Sequence, residues 1–182
     1  MISSTRDLGQ KVQDSFKVWT NKIAQEDSET WVGKLKTSAT VKLLTQFVGK
    51  QIPFATRNGF EVIELRPGYV KAFMPFKQNK NHFNAMYAGA LFTVAELPGG
   101  ILSILNFDEG LFPILSEYNI QYLKPAKTDV TVEFSLSRSE LDRIAKDTRE
   151  QGKGYFELHG EIKDTEGQVV AKTHGKYQVR MK

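Results

Sequence analysis

The spacing of apolar residues divides the 182-residue chain into a helical beginning, a strand-rich body and a long apolar run between them. Over residues 1–50 the apolar positions recur at near-helical spacing, which predicts helices with one buried face. From Gly59 onward the period becomes two, which is typical of half-buried strands. Strands are predicted at 60–65, 69–74, 114–123, 130–137, 154–163 and 168–180. We therefore expect an N-terminal helical extension over residues 1–50 and one main domain over residues 51–182.

The apolar run lies between Met86 and Leu105 and contains a single carboxylate, Glu96. Its length alone is close to that of a membrane span. The carboxylate near its middle, the Pro98-Gly99-Gly100 sequence and the amphipathic strands that follow favour a buried central helix instead. A helix that is apolar on every side needs cover on every side. The antiparallel sheet can supply one side, and the N-terminal helices or a second subunit can supply the others.

Alternation along the strand after this helix predicts which of its side chains face inward. The inner face is expected to hold Ile114, Tyr118, Ile120 and Tyr122, and the outer face Glu117, Asn119 and Gln121.

Composition and charge narrow the possible functions. The chain has no cysteine, which excludes disulfides, thiolate catalysis and thiolate metal sites. The net charge of +4 comes from scattered basic residues, which suits an anionic ligand but does not indicate nucleic acid. No secretory signal is recognised at the beginning of the sequence, so a cytoplasmic location is expected. Phosphate-binding glycine loops and serine nucleophile motifs are also absent from the sequence.

Two motifs carry a resemblance to a known family. The first consists of Asn81, Asn84, Tyr87-Ala88-Gly89 and Glu96 around the expected helix start. The second is the run Asn119-Ile120-Gln121-Tyr122-Leu123-Lys124-Pro125-Ala126 on the following strand. In this order they resemble the hotdog-fold thioesterases, and most closely the branch related to phenylacetyl-CoA thioesterase. Where that branch has His-Gly-Gly this chain has Tyr-Ala-Gly, which is closer to the uncharacterised thioesterase-like groups of the superfamily.

The resemblance covers about residues 55–182 and implies the fold, the activity and the partners. The implied fold is the α+β hotdog fold, in which an antiparallel sheet wraps around one long central helix. The implied assembly is a homodimer or a dimer of dimers. The implied activity is hydrolysis of acyl-CoA or an acyl-carrier thioester without a cofactor, and neither nucleic acid nor a membrane span is expected. The altered helix-start motif leaves two alternatives open, a non-catalytic acyl- or lipid-binding module and an interaction protein that recruits a partner through its N-terminal helices.

The resemblance places the catalytic groups on the central helix and just before it. Backbone N–H groups at a helix start have no partner within the helix, so Gly89 is expected to be the main oxyanion donor. Glu96 is expected to act as general base or nucleophile, with a pKa raised by its apolar setting. Asn81 would hydrogen-bond the carboxylate or the attacking water. If the helix begins near Ala85, Glu96 lies roughly three turns farther on, so a composite site with the partner's Glu96 is expected.

A second group of residues is expected to contact the substrate. These are Tyr87, Ala88, His82, Ser116 and Lys124. Tyr87 also fits a core or dimer-interface aromatic, and Lys124 also fits a solvated lysine beside a turn. Some family members carry a water-holding serine on the strand after the helix, but Ser116 is one position away from the matching site. One residue of slip turns a strand side chain to the other face.

Several of these residues also fit roles outside thioester hydrolysis, and the sequence leaves the choice open. Glu96 also fits a structural carboxylate, and Asn81 fits a cap of the loop or helix. His82 with Glu96 also resembles the acid–base pair of the hotdog dehydratases, although their surrounding motifs are not evident. The three histidines are dispersed along the sequence, and His159 and His174 fall on polar strand faces. No metal site is therefore expected.

Overall fold

The computed structural model describes residues 41–42, 45–46, 48–107 and 110–181. The described residues before position 52 are helical, and they lead into a short helix, α1, at Pro53–Arg57. The predicted helices over residues 1–40 lie outside the described residues. The division into an extension at 1–50 and a domain at 51–182 therefore stays a prediction.

Two longer helices and six strands follow in the described part of the chain. The helices are α2 at Ala88–Asn106 and α3 at Arg138–Gln151. The strands are β1 (Glu61–Arg66), β2 (Tyr69–Met74), β3 (Leu111–Tyr122), β4 (Val130–Ser135), β5 (Lys153–Asp164) and β6 (Val169–Met181). The six predicted strands are confirmed, and their ends differ from the prediction by three residues at most.

The strands form one antiparallel sheet in the order β1-β2-β4-β5-β6-β3. The sheet curls around α2, which contacts all of its strands from β2 to β6. β3 pairs with β6 along one edge, and its other edge is free within the described residues. The predicted antiparallel sheet around one central helix is confirmed.

α2 is a core helix. Among the described residues it is the one helix long and apolar enough to cross a membrane, but 67% of its apolar window is buried inside the protein. Val94, Ala95 and Leu102 are almost completely buried. A core helix of a soluble protein passes the same test of length and composition. The burial by the sheet therefore explains the apolar run without a membrane.

Close contact between α2 and β6 depends on Gly99. A Cβ atom at this position would collide with the hydroxyl group and ring of Tyr177. Tyr177 stacks on Phe156 with ring centroids 4.8 Å apart, and its hydroxyl donates to the backbone oxygen of Glu96 over 3.3 Å. Gly99 is therefore needed for this close contact. The adjacent Gly100 differs, because a Cβ atom there would meet open space in the described chain.

A β-bulge in β3 changes the predicted faces of that strand. The register between β3 and β6 shifts between Leu115 and Glu117, so Ser116 is the extra residue. Leu115 therefore packs against the core, whereas Ile114 is exposed. The prediction that Ile114 shares the inner face with Tyr118 is wrong, because the extra residue reverses the alternation.

α3 forms in the polar segment before β5. Its start carries a capping box, in which the Ser137 hydroxyl accepts the N–H of Glu140 over 3.3 Å. The Glu140 carboxylate accepts the N–H of Ser137 over 2.7 Å in return. α3 packs against β5 and β6, away from the start of α2.

Candidate functional site at the start of the central helix

Asn81 shapes the loop that leads into α2. Its Oδ1 accepts the N–H groups of Phe83 at 2.9 Å and Ala85 at 3.2 Å, and its own N–H donates to the Ala85 oxygen over 2.7 Å. The loop also places Asn84 at a positive φ of 56°, a conformation that asparagine tolerates. Asn81 therefore caps the loop through its side-chain oxygen. Its Nδ2 has no partner among the described residues and remains available to a ligand.

Asn79 is a second, more deeply buried anchor of this loop, and no sequence motif marks it. Its Nδ2 donates to the backbone oxygens of Asn58 and Pro75, each over 2.7 Å. Its own backbone oxygen accepts the N–H of Tyr87 over 2.7 Å. These three bonds fix the residue that immediately precedes α2.

α2 begins at Ala88, with Tyr87 as the N-terminal cap residue. The Tyr87 oxygen accepts the N–H groups of Ala90 at 2.9 Å and Leu91 at 3.2 Å. The N–H groups of Ala88 and Gly89 have no hydrogen-bond partner in the described part of the chain, and no side chain caps them. They lie at the positive end of the helix dipole, where donors can stabilise an oxyanion.

Two exposed tyrosines stand beside these amides. The ring of Tyr87 lies against Gly89, because a Cβ atom at position 89 would collide with it. The Tyr122 hydroxyl donates to the backbone oxygen of Ala88 over 3.2 Å. Partial burial raises the pKa of Tyr122, and the neighbouring Tyr87 hydroxyl adds to this effect. The two rings flank the first turn of the helix.

A groove of about 580 Å³ opens at the same place. Its wall is largely apolar and includes Phe83, Ala85, Met86, Ala88, Leu91, Leu123, Pro125 and Ala126. The polar groups on its wall come from Asn81, Tyr122, Lys124 and Lys127. The volume is within the range of small-molecule sites. The lining suits a ligand with an apolar chain and an anionic group.

Glu96 lies in the middle of α2 on the side that the sheet covers least. Phe92, Glu96, Gly100 and Ile104 follow one another at intervals of four residues, and all are less buried than most of the helix. The Glu96 carboxylate has no hydrogen bond or ion pair among the described residues. Burial raises the pKa of this carboxyl group. A partly buried carboxylate without a partner is a candidate functional group.

Tyr118 is a neighbour of Glu96 that the motifs did not single out. Its hydroxyl is buried and has no hydrogen-bond partner within the described residues. Burial is the main cause that raises the pKa of Tyr118; the nearby Thr173 side chain opposes this effect, and the Glu96 charge adds to it. Its ring meets Phe92 edge-on, with centroids 5.3 Å apart. The bulge in β3 is what turns Tyr118 toward this part of the helix.

Within one chain, Glu96 and the helix start are separated along α2. The helix begins at Ala88, three residues later than Ala85, so Glu96 follows after about two turns. Eight residues at 1.5 Å each give a separation of about 12 Å along the axis. One chain therefore does not bring its own Glu96 to Asn81 and Gly89.

His82 and Ser116 do not line the groove. The exposed His82 ring lies against Phe83, with centroids 3.9 Å apart. The exposed Ser116 donates its hydroxyl to the Lys176 backbone oxygen over 2.9 Å. The groove and the adjoining helix start gather the following predicted residues: Asn81, Tyr87, Ala88, Gly89 and Lys124.

Comparison with known proteins identifies the family. Residues 40–179 match the family described as a domain of unknown function, DUF4442. The chain belongs to this family. A protein of unknown function from Pseudomonas aeruginosa, described as a probable thioesterase, is 38% identical, with a TM-score of 0.75 over 78% of this chain and 95% of that chain.

Two solved structures of lower identity share the fold. A protein of unknown function from Chlorobaculum tepidum is 18% identical, with a TM-score of 0.71 over 80% of this chain and 97% of that chain. A thioesterase from Haemophilus influenzae is 17% identical, with a TM-score of 0.61 over 78% of this chain and 90% of that chain. The predicted hotdog fold of the thioesterase superfamily is confirmed. Because both are less than 25% identical to this chain, these two relatives bear on the fold alone.

In a hotdog protein of this kind, the sequence motifs and the geometry mark overlapping sets of residues. Tyr122 and Leu123 line the groove and belong to the second motif, which therefore carried a signal for the groove as well as for the fold. Met86 and Leu91, which are close in sequence to the first motif, also line the groove. Asn79 and Tyr118 needed the folded structure, because nothing in their local sequence distinguishes them.

Proposed function

We propose that the protein is a cytoplasmic hydrolase of acyl-CoA or acyl-carrier thioesters that works without a cofactor, at sites shared between two copies of the chain. The observation that carries this proposal is the pair of unpartnered N–H groups of Ala88 and Gly89 beside the apolar groove. A thioester carbonyl needs such donors as negative charge develops on its oxygen.

The groove supplies the binding part of the proposal. The acyl chain would lie along the apolar wall formed by residues such as Phe83 and Leu91. Its carbonyl oxygen would accept the amides of Ala88 and Gly89. Lys124 on the same wall would attract the phosphates of the carrier, in keeping with the net charge of +4.

Glu96 supplies the nucleophilic part. As a general base it would take a proton from water while the water oxygen bonds to the carbonyl carbon. Collapse of the tetrahedral intermediate would then expel the thiolate, which regains a proton. As a nucleophile, Glu96 would form an anhydride that water hydrolyses. The raised pKa of Glu96 makes the carboxylate a stronger base in either route.

The distance along α2 supports a site composed of two chains. Glu96 of one chain is too far from its own helix start, but it lies on the least covered side of α2, beside Gly100. The free edge of β3 offers backbone groups for sheet pairing with a second copy. With the two central helices antiparallel across a two-fold axis, the partner's Glu96 would approach the helix start. A dimer of dimers would preserve the same site.

Tyr87 favours a second candidate function, binding of an acyl group without turnover. Its ring lies against Gly89 and restricts the space beside that amide. A ligand could then occupy the groove while its carbonyl stays away from the donors. In that case acyl-CoA would raise the melting temperature of the protein without release of free thiol.

An acyl-CoA panel with detection of the released thiol tests the proposed hydrolysis. We expect turnover by the wild type, and we expect Glu96→Gln to lose turnover while it keeps acyl-CoA binding. Binding by the wild type without any thiol release would support the second candidate function instead.

Mixed dimers test the composite site. Ala88→Pro removes one donor at the first helical position, where proline is tolerated. A mixture of Ala88→Pro and Glu96→Gln chains should recover about a quarter of the wild-type activity, because half of the dimers are mixed and each has one intact site. A mixture as inactive as the separate variants would contradict a site shared between chains.

A further inference from the structure

Three potential metal ligands meet on the outer face of the sheet, away from the groove. Glu157 and His159 are two residues apart on β5 and therefore point to the same side. The β5–β6 register places His174 directly opposite His159. The two histidines are distant in sequence, and the β5–β6 hairpin brings them together.

The distances within this cluster approach those of a metal site. One ligand atom from each of the three side chains lies within 4.8 Å of the other two. Glu157 Oε2 is 2.6 Å from His174 Nε2 and 3.9 Å from His159 Nε2. Ligand atoms around a tetrahedral zinc ion, each about 2.0–2.1 Å from the metal, are about 3.3 Å apart. Small rotations of surface side chains would convert the hydrogen bond between Glu157 and His174 into two bonds to one ion.

The backbone holds these ligands in place before any ion binds. β5 and β6 are 12 and 13 residues long and are paired along nearly their whole length. The rings of His159 and His174 are stacked, with centroids 4.2 Å apart and planes within 9°. Two of the ligands therefore lie side by side on paired strands, so only their side chains need to rotate to reach one ion.

Lys172 and Lys176, the neighbouring lysines on β6, form ion pairs with carboxylates other than that of Glu157. Lys176 is the cross-strand partner of Glu157, but its ammonium group pairs with Glu117 on β3 at 2.9 Å. Lys172 pairs with Glu161 at 3.9 Å. The closest polar partner of Glu157 is His174, and the cluster carries a carboxylate that can offset part of a cation's charge.

The exposure of the three side chains leaves room for an ion to enter. The exposed fractions are 53% for Glu157, 72% for His159 and 31% for His174. Two imidazole nitrogens and one carboxylate oxygen are ligands that suit zinc, nickel and copper better than calcium or magnesium. Three protein ligands leave a fourth tetrahedral position open to water.

We propose that Glu157, His159 and His174 bind one divalent transition-metal ion of the zinc class on the outer face of the sheet. The ion links β5 to β6 and stabilises the folded chain, since the three ligands converge in the folded state. This site is separate from the proposed hydrolase site and does not depend on it.

Calorimetric titration of the untagged protein with Zn²⁺ tests the site, with Mg²⁺ as the comparison ion. The chain has no cysteine and three histidines, so His82→Ala is a matched control. We expect one Zn²⁺ per chain, a rise in melting temperature with Zn²⁺, and no comparable effect of Mg²⁺. His159→Ala and His174→Ala should each weaken Zn²⁺ binding about tenfold or more, and Glu157→Gln should weaken it as well. His82→Ala should bind as the wild type does.

Three results would overturn the proposal: no Zn²⁺ binding by the wild type, unchanged affinity in the double variant His159→Ala/His174→Ala, or loss of binding in His82→Ala alone. Circular dichroism checks that each variant is folded. If the His174→Ala variant is unfolded, Zn²⁺ binding is compared in the His159→Ala variant instead, because His159 is the more exposed residue.

Discussion

The two halves of the central helix differ in how their polar groups are satisfied. In the first half, the amides of Ala88 and Gly89 and the carboxylate of Glu96 have no partners in the described chain. In the second half, the buried Ser103 hydroxyl donates to the Gly99 oxygen over 2.8 Å. At the end of the helix, Asn106 donates to the Leu102 oxygen over 2.7 Å and accepts the N–H of Gly68 over 2.9 Å. Unsatisfied groups therefore concentrate where the groove and the least covered side of the helix lie.

This difference indicates a division of roles within one element. Buried polar groups normally find partners, and leaving one without a partner costs stability. The second half follows that rule and packs tightly against β6. In the first half, the groups without protein partners belong to residues that are exposed or half-buried, where a ligand or a second chain can reach them. The same helix thus anchors the core with one half and presents reactive groups with the other.

The largest expected effect is the loss of catalytic rate in Glu96→Gln, compared with the loss of stability in Leu102→Ala. Glu96→Gln should lower kcat by about 10²–10⁴-fold, the usual contribution of a general base. Leu102→Ala, in the buried second half, should lower the free energy of unfolding by about 2–5 kcal/mol while kcat per folded molecule stays within a few fold. Thiol release and chemical denaturation measure the two quantities. If Leu102→Ala lowered kcat as much as Glu96→Gln, the proposed division of roles would be wrong.

The next effect compares two adjacent glycines. Gly99→Ala places a methyl group against the Tyr177 ring, which should cost about 1–3 kcal/mol of unfolding free energy. Gly100→Ala meets open space and should keep or increase stability, by up to about 1 kcal/mol from helix propensity. Urea denaturation of both variants measures the difference. Equal losses in the two variants would show that the close contact at Gly99 does not matter.

A third effect concerns the pH dependence of stability. Burial raises the pKa of Glu96 in the folded state above its ordinary value of 4.5. The folded protein therefore holds this proton more tightly, and stability falls as pH rises through the folded-state pKa. Glu96→Gln lacks this loss, so it should be more stable than the wild type at neutral pH, and the difference should shrink below pH 4.5.

Melting temperatures of both proteins across the acid range test this expectation, because their difference removes the contribution of the other carboxylates. A Glu96→Gln protein that is less stable than the wild type at neutral pH would mean that Glu96 has a stabilising partner. That outcome would favour the structural role for Glu96 that the sequence left open.

The smallest expected effect concerns the groove wall beside the first half of α2. Lys124→Gln should weaken acyl-CoA binding about two- to fivefold, as expected for an exposed charge. The loss should shrink as the salt concentration rises. Lys146→Gln on α3 is a matched control, because Lys146 does not line the groove. Fluorescence or calorimetric titration at two salt concentrations measures the change, and equal effects of both substitutions would argue against a carrier contact at Lys124.

The strands could be predicted from the alternation of apolar and polar residues, and the central helix from its long apolar run. The sequence indicated a helix start near Ala85 rather than Ala88, because the bonds of Asn81 close a loop that no periodicity reveals. The resemblance and the motif spacing predicted that Asn81, Ala88 and Gly89 belong to one site, and these residues lie together at the groove and the start of α2. Their catalytic roles stay predictions.

Other features depended on pairing between distant residues. The bulge at Ser116 and the meeting of His159 with His174 follow from strand register, which local patterns do not determine. The free Tyr118 hydroxyl likewise results from how β3 lies against α2. Such features are set by tertiary contacts and therefore needed the folded chain.

The bulge in β3 affects how the sequences of relatives should be aligned over this strand. Leu115 and Glu117 lie opposite Tyr177 and Lys176, which are consecutive on β6, so loss of Ser116 would leave a regular strand with Leu115 and Tyr118 still on the inner face. Tyr122 would keep its place beside the Ala88 oxygen and on the groove wall. A relative that is one residue shorter in β3 is therefore expected to keep the groove, and the gap in its alignment belongs at the bulge.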